Sequence, residues 1–257
     1  MNEKVPANPT TRTDLVFGTS PISYADMAEA FAALPATRLV HFTPALNLYN
    51  ILRDEEIRPS DDLKADEQLR FTPTDNQRVD GHPGYVCCSF EYPNAYYQAR
   101  ARAKKDFVNY EQWVCLTLSI KLVLRDGVLF YPCNAARERG QLGGVGPQRL
   151  VELWANPSIP ASYPRRTSHH PAVPTDLQAE VQIPGAIPVS LVTGIVAKDA
   201  SQCEELHGLL VAHGLNPERF KWSYAPQFYD AQKLAAALQS GYAPTEHLWR
   251  PSAGGSS

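Results

Sequence analysis

The stretch PTDLQAEVQIPGAIPVSLVTGIVAKD, residues 174–199, decides how this chain folds and where its chemistry sits. It holds two apolar runs, VQI and IPVSLVTGIV, rich in Val and Ile and broken by Pro184, Gly185 and Pro188. Such β-branched runs between breakers read as strand, turn and strand. Glu180 stands at the entrance of the first run, and a carboxylate at the lip of a sheet can aim charge at a reacting centre. Side chains two apart on a strand share a face, so Gln178 and Glu180 are expected to point the same way. On this triplet alone, a solvent-facing Gln and Glu on an edge strand is the better reading.

Working outward, Arg38 to Phe42 reads as a strand and Pro44 to Asp54 as the helix after it. Ser23 to Leu34 predicts a short amphipathic helix with Ser23 as N-cap. Tyr85 to Phe90 is a buried strand, and Asn94 to Lys105 is helical by propensity. Trp113 to Leu124 and Gly127 to Tyr131 read as strands, with helices near Ser201 to His213 and Asp230 to Ser240. Residues 55–84 form a charged excursion too long for a simple connection, which favours a functional loop that closes over a ligand. The run GQLGGVG lacks the Lys-Ser/Thr of a phosphate loop and reads as a turn. Residues 1–21 are expected to be a flexible lead-in, 22–243 a single domain and 244–257 a disordered tail.

With 257 residues, 44% hydrophobic and 20% charged, the chain can bury a substantial core. Its formal net charge of −3 gives no global attraction to nucleic acid, so any such contact must come from a local patch. Five cysteines at irregular spacings, two of them adjacent, form neither a metal ladder nor a disulfide framework. Cys87, Cys88 and Cys115 sit in apolar strand-like runs and are expected to be small buried hydrophobes, and no metal is expected. No run of 18 apolar residues and no leader-like segment occurs, so a cytoplasmic protein with no membrane contact is expected.

Three ordered segments resemble the DarT family of toxins, which transfer ADP-ribose from NAD+ onto a base of single-stranded DNA. The first is Leu39-Val40-His41-Phe42-Thr43 with Asn47 and then Asn50-Ile51-Leu52. Asp75 to Asp80 running into Tyr85 to Phe90 and Pro93-Asn94 is the second, and Pro174 to Val181 the third. Together they span residues 38–199 and point on to Tyr229. The resemblance implies an α+β, ADP-ribosyltransferase-like fold, with central mixed or antiparallel sheets flanked by helices.

Cleaving the nicotinamide bond of NAD+ passes through an oxocarbenium-like ribose, which needs negative charge nearby and a firm hold on the ribose. The resemblance implies that Glu180 is the catalytic glutamate and that His41, Thr43 and Asn47 hold the cofactor. By themselves, His41 and Thr43 lie two apart on a strand and can face one ligand, although a satisfied half-buried histidine is the better reading of His41 alone. A pyrophosphate calls for a forked arginine. Arg78 is the implied one, as catalytic and cofactor-binding residue, with Arg70 as the alternative. Ser89 and Tyr97 can line the nicotinamide pocket, or Tyr97 can be core.

Substrate choice is expected from Gln178 and from the loop of residues 155–177. There Arg165, Arg166, His169 and His170 can supply phosphate contacts and stacking, or form an ordinary solvated loop. Trp222, Tyr224, Phe228 and Tyr229 can form a stacking wall, although core is the better reading. The resemblance implies a toxin of a toxin–antitoxin or anti-phage system, with a macrodomain antitoxin that removes the mark. Thymine and guanine both stay open as the acceptor, and the Gln178-x-Glu180 pair tilts towards guanine. The rival readings are the same chemistry on RNA or protein, and an inactive NAD- or nucleic-acid-binding module.

Overall fold

A computed structural model of the chain describes residues 24–65, 80–104, 112–158 and 164–251. The expected lead-in of residues 1–21 lies outside them. At the centre is an eight-stranded sheet ordered β10-β9-β8-β4-β1-β3-β6-β5. Its strands are β1 (Arg38–Pro44), β3 (Tyr85–Phe90), β4 (Trp113–Ser119), β5 (Leu129–Tyr131), β6 (Glu180–Pro184), β8 (Val192–Ala197), β9 (Lys221–Tyr224) and β10 (His247–Trp249). All neighbours run antiparallel except β8 and β9. A two-stranded ribbon joins β2 (Glu56–Ile57) to β7 (Ile187–Pro188). The helices are α1 (Met27–Ala33), α2 (Ala45–Asp54), α3 (Ser60–Ala65), α4 (Ala95–Arg102), α5 (Gly146–Glu152), α6 (Ala200–Ala212) and α7 (Ala231–Gln239).

β4 sits centrally and six of its seven residues are buried, so its apolar run is continuous rather than alternating. The strand ends at Ser119, and Ile120–Leu124 closes into a 3-10 turn that tucks Leu122 and Val123 into the core. Helix α1 is capped by Asp26, whose side chain accepts from the Glu29 N–H, while Ser23, the expected cap, lies outside the described residues. Asp199 and Asp230 cap α6 and α7 in the same way.

Of the segment expected to be a disordered tail, residues 244–251 are part of the fold, and 252–257 lie outside the described residues. His247–Trp249 pairs with β9, and Glu246 forms an ion pair with the half-buried Arg38 of β1. Arg38 also lies over the rings of Tyr92 and Phe228, 5.5 and 5.9 Å from their centroids. The polar composition of that tail hid a long-range charge partner. Trp222 and Phe228 are core residues, and the Tyr229 hydroxyl donates to the Val196 carbonyl at 2.6 Å.

One seam of the sheet is weak, and it creates the cleft. β1 pairs β4 along all seven of its residues but pairs β3 at only two, Leu39 with Phe90 and Val40 with Ser89. Beyond Val40 the two backbones part. The ring of His41 continues the bonding where the ladder stops, its Nδ1 lying 2.8 Å from the Cys87 carbonyl oxygen.

Candidate active site

The opening between β1 and β3 is a cleft walled by Val40–Thr43 on one side and Tyr85–Ser89 on the other. Residues along α2, from Asn47 to Asp54, from Glu56 to Leu63 and from the chain leaving β5 also line it. His41, Thr43 and Asn47 from one part of the sequence and Glu180 from another, on β1, α2 and β6, line this one cavity. Ser89 and Tyr97 line it too. The described parts of the 55–84 excursion form a wall of it, with Arg58, Ser60 and Asp80 among the lining residues.

The chemistry of each group follows from its partners. A carbonyl can only accept, so Nδ1 of His41 carries the proton in that bond, and Nε2 of the neutral ring is an acceptor. Burial lowers the His41 pKa below its ordinary value, outweighing the raising effect of the Cys87 bond, so the ring is neutral at pH 7. A neutral Nε2 acceptor suits a sugar hydroxyl. One turn into α2, Asn47 Nδ2 donates to the buried Thr43 Oγ1 at 3.0 Å, which leaves the threonine proton to be given elsewhere.

Glu180 is the first residue of β6 and is 8% exposed. It lies opposite Tyr131 of β5, and the chain leaving β5 reaches Asn134 three residues later. Asn134 Nδ2 donates to Glu180 Oε1 at 2.8 Å. This partner was not anticipated from the sequence, because it depends on the pairing of β5 with β6 across some fifty residues of chain. The same surroundings raise the thiol of Cys88 well above its ordinary value, by burial first and by the nearby Cys87 and Glu180 second. Cys88 is therefore an inert apolar wall rather than a nucleophile. All five cysteines are free; Cys88 and Cys115 are buried as expected, Cys87 is half-buried against that expectation, and Cys133 and Cys203 are buried as well.

Several expected site residues lie elsewhere. Gln178 does not share a strand face with Glu180. It sits in a turn before β6, where its N–H donates to Asp176 Oδ1 at 2.8 Å, and it does not line the cleft. The residue that does follow Glu180 at strand spacing is Gln182, fully buried, whose amide donates to the cleft residue Asp80.

The expectation of phosphate contacts by Arg165 and His169 is also corrected. Arg165 is 5% exposed, and its guanidinium donates to the carbonyls of Val173 and His170, both at 2.9 Å. His169 is buried, and its Nε2 donates to the Pro174 carbonyl at 3.0 Å. His170 is half-buried with its ring edge-on to Tyr92. A loop of prolines leaves its carbonyls without strand or helix partners, and these side chains supply the donors. Of the four, Arg166 is exposed. Arg78 and Arg70 lie outside the described residues.

The family model of the ssDNA thymidine ADP-ribosyltransferase DarT matches residues 40–229, the span that contains every wall of this cleft. The chain belongs to the DarT family. It is an NAD+-dependent ADP-ribosyltransferase that acts on single-stranded DNA. Among solved structures, Thermus sp. 2.9 DarT in complex with ADP-ribosylated ssDNA is 16% identical, with 76% of this chain and 96% of that one covered, at a TM-score of 0.50. Thermosipho africanus DarTG in complex with ADP-ribose is 12% identical over 75% of this chain and 51% of that one, at 0.53. Thermus sp. 2.9 DarT in complex with NAD+ is 19% identical over 76% and 98%, at 0.49. At such identities the likeness speaks for the fold, which the first two carry. No curated protein sequence matches the chain. Among the described residues, no helix is long and apolar enough to cross a membrane.

Proposed function

We propose that the cleft between β1 and β3 holds NAD+ and that Glu180 directs its ribose onto the base of thymidine, the nucleoside named in the family's description. The observation that carries this reading is the convergence of His41, Thr43, Asn47 and Glu180 on one cavity at the weak seam of the sheet. In this arrangement the neutral His41 accepts from a ribose hydroxyl through Nε2. Thr43, its oxygen already engaged by Asn47, donates to the nicotinamide end. Glu180 supplies the negative charge that stabilises the developing positive charge on the anomeric carbon, and it can accept a proton from the attacked base. The tilt towards guanine falls away, since it rested on Gln178 and Glu180 sharing a face.

Arg78 remains the proposed ligand of the pyrophosphate, with Arg70 as the alternative. Phosphates of the DNA strand fall to Arg166 and to the exposed Arg137 and Arg139 on the chain leaving β5, which passes beside Glu180. The family membership supports a toxin held in check by a macrodomain antitoxin, both acting in the cytoplasm.

The test is transfer of label from NAD+ to single-stranded DNA, duplex DNA, RNA and unrelated protein, beside a Glu180→Ala control. Label on thymidine of single-stranded DNA alone, lost in the control, is the expected result. Label on RNA or protein would replace the acceptor and leave Glu180 in place. NAD+ bound without any transfer would favour a binding module.

A further inference from the structure

We infer that Asn134 is the positioning residue for Glu180, holding its carboxylate at the angle the transfer requires. The inference deepens the proposed function and rests on its assignment of Glu180. Asn134 leaves β5 just past the pairing of Tyr131 with Glu180, so its backbone is fixed by the sheet at the point where the carboxylate emerges. Both ends of its side-chain amide are engaged. Oδ1 accepts from the Ala136 N–H at 3.1 Å, and Nδ2 donates to Glu180 Oε1 at 2.8 Å. A backbone N–H only donates and a carboxylate only accepts, so the amide can sit in one orientation and not its flip. The carboxylate is therefore presented with a fixed donor on one oxygen.

The rest of the loop resists movement. Glu138 and Arg139 both hold left-handed backbone, at φ 49° and 53°, a conformation that non-glycine residues rarely adopt. Gly140 follows at φ 83°, and a Cβ there would meet the Asp80 carbonyl oxygen at 2.4 Å. The loop is thus pressed against a second wall of the cleft, since Asp80 also lines it. A clamp anchored at both ends can hold a reacting group to the tolerance at which misplacement of about 1 Å costs about a hundredfold in rate.

The two bonds of Asn134 separate two roles, and one substitution tells them apart. Asn134→Asp has the same shape and keeps the oxygen that accepts from Ala136, but replaces the donor to Glu180 with a like charge. Asn134→Ala removes both bonds. Turnover with NAD+ and single-stranded DNA, NAD+ affinity by titration and thermal unfolding are measured for both, beside Glu180→Ala. Expected is a fall in kcat of about a hundredfold in both variants. NAD+ affinity changes little, and kcat falls much further than the modest drop in unfolding temperature that the like charge of Asn134→Asp brings. Wild-type kcat in Asn134→Asp overturns the inference, since it assigns the side chain to the turn alone. If Glu180→Ala is dead while Asn134→Asp is active, the inference fails by itself. If transfer survives Glu180→Ala, the reading of Glu180 fails and the inference with it.

Discussion

The seam between β1 and β3 and the loop of residues 164–179 both bury polar side chains, and they do so to opposite ends. In the seam, His41 and Thr43 are held by one internal bond each and line an open cleft. In the loop, Arg165 points its two terminal nitrogens and His169 its Nε2 at backbone carbonyls, and neither lines the cleft. Residue type and burial are alike in the two regions. What differs is whether a polar atom is satisfied by the chain or turned towards a cavity. A buried charge or imidazole signals a site only when its partner set leaves chemistry for a ligand.

The largest expected effect tests the seam. Glu180→Gln keeps the shape and an oxygen that can still accept from Asn134, but removes the charge. Transfer to single-stranded DNA should fall by about a thousandfold, with the unfolding temperature nearly unchanged. Label incorporation beside a thermal melt reads both. A large loss of stability with modest loss of rate would break the comparison, by making Glu180 a structural residue like those of the loop.

Next in size is the mirror experiment on the loop. Arg165→Met keeps the apolar stem but leaves the Val173 and His170 carbonyls without their donor. The expected cost is about 2–3 kcal/mol of stability, with the transfer rate per folded molecule unchanged at low temperature. Denaturant unfolding and a rate assay check it. A drop in DNA affinity without loss of stability would return Arg165 to the DNA-contacting role that the sequence suggested.

The third prediction concerns pH. Burial pushes the pKa of His169 down to about 4, with Arg165 adding to the shift. An unfolded histidine titrates near 6.5, so above that pH the residue is neutral in both states and has no effect. As pH falls from about 6.5 to about 4, the unfolded chain takes a proton that the folded chain refuses, and stability drops. About 1–2 kcal/mol is expected from this residue, less than the full shift because the site is partly solvated. His169→Gln retains a donor for the Pro174 carbonyl and does not titrate. Its melting temperature should fall less steeply over that range. His41 is shifted in the same direction and leaves a residual slope.

These contrasts also show which parts were legible in the sequence. Most central strands and helices were, because their signals are local, although β4 stops at Ser119 and the tail holds β10. The strand Tyr85–Phe90 lies where patterning puts it, and the helix expected over Pro44–Asp54 runs Ala45–Asp54, after a strand that continues two residues past the expected Phe42. Glu180 could be placed at the mouth of a strand for the same reason. The partner of a buried polar group could not. Asn134 meets Glu180 through a β5–β6 pairing, Arg38 meets Glu246 from opposite ends of the chain, and Gln182 meets Asp80 across about a hundred residues. The strand face assumed for Gln178 failed because the Asp176 side chain closes a turn that delays the start of β6 until Glu180.

The smallest effect is expected one residue from one of the larger ones. Arg166 follows Arg165 directly, yet it is exposed where its neighbour is buried. An exposed guanidinium is hydrated and screened, so removing it costs the fold little. If it meets a DNA phosphate, its contribution is the release of counterions from the strand, and that has its own signature. For single strands the slope of log affinity against log salt changes by about 0.7 for each phosphate neutralised. Arg166→Ala should therefore flatten that slope by about 0.7 and weaken binding of every sequence alike, with NAD+ affinity and melting temperature unchanged. Binding of a labelled oligonucleotide at several salt concentrations measures it. An unchanged slope would move the DNA backbone off this loop and onto the Arg137 and Arg139 side of the cleft.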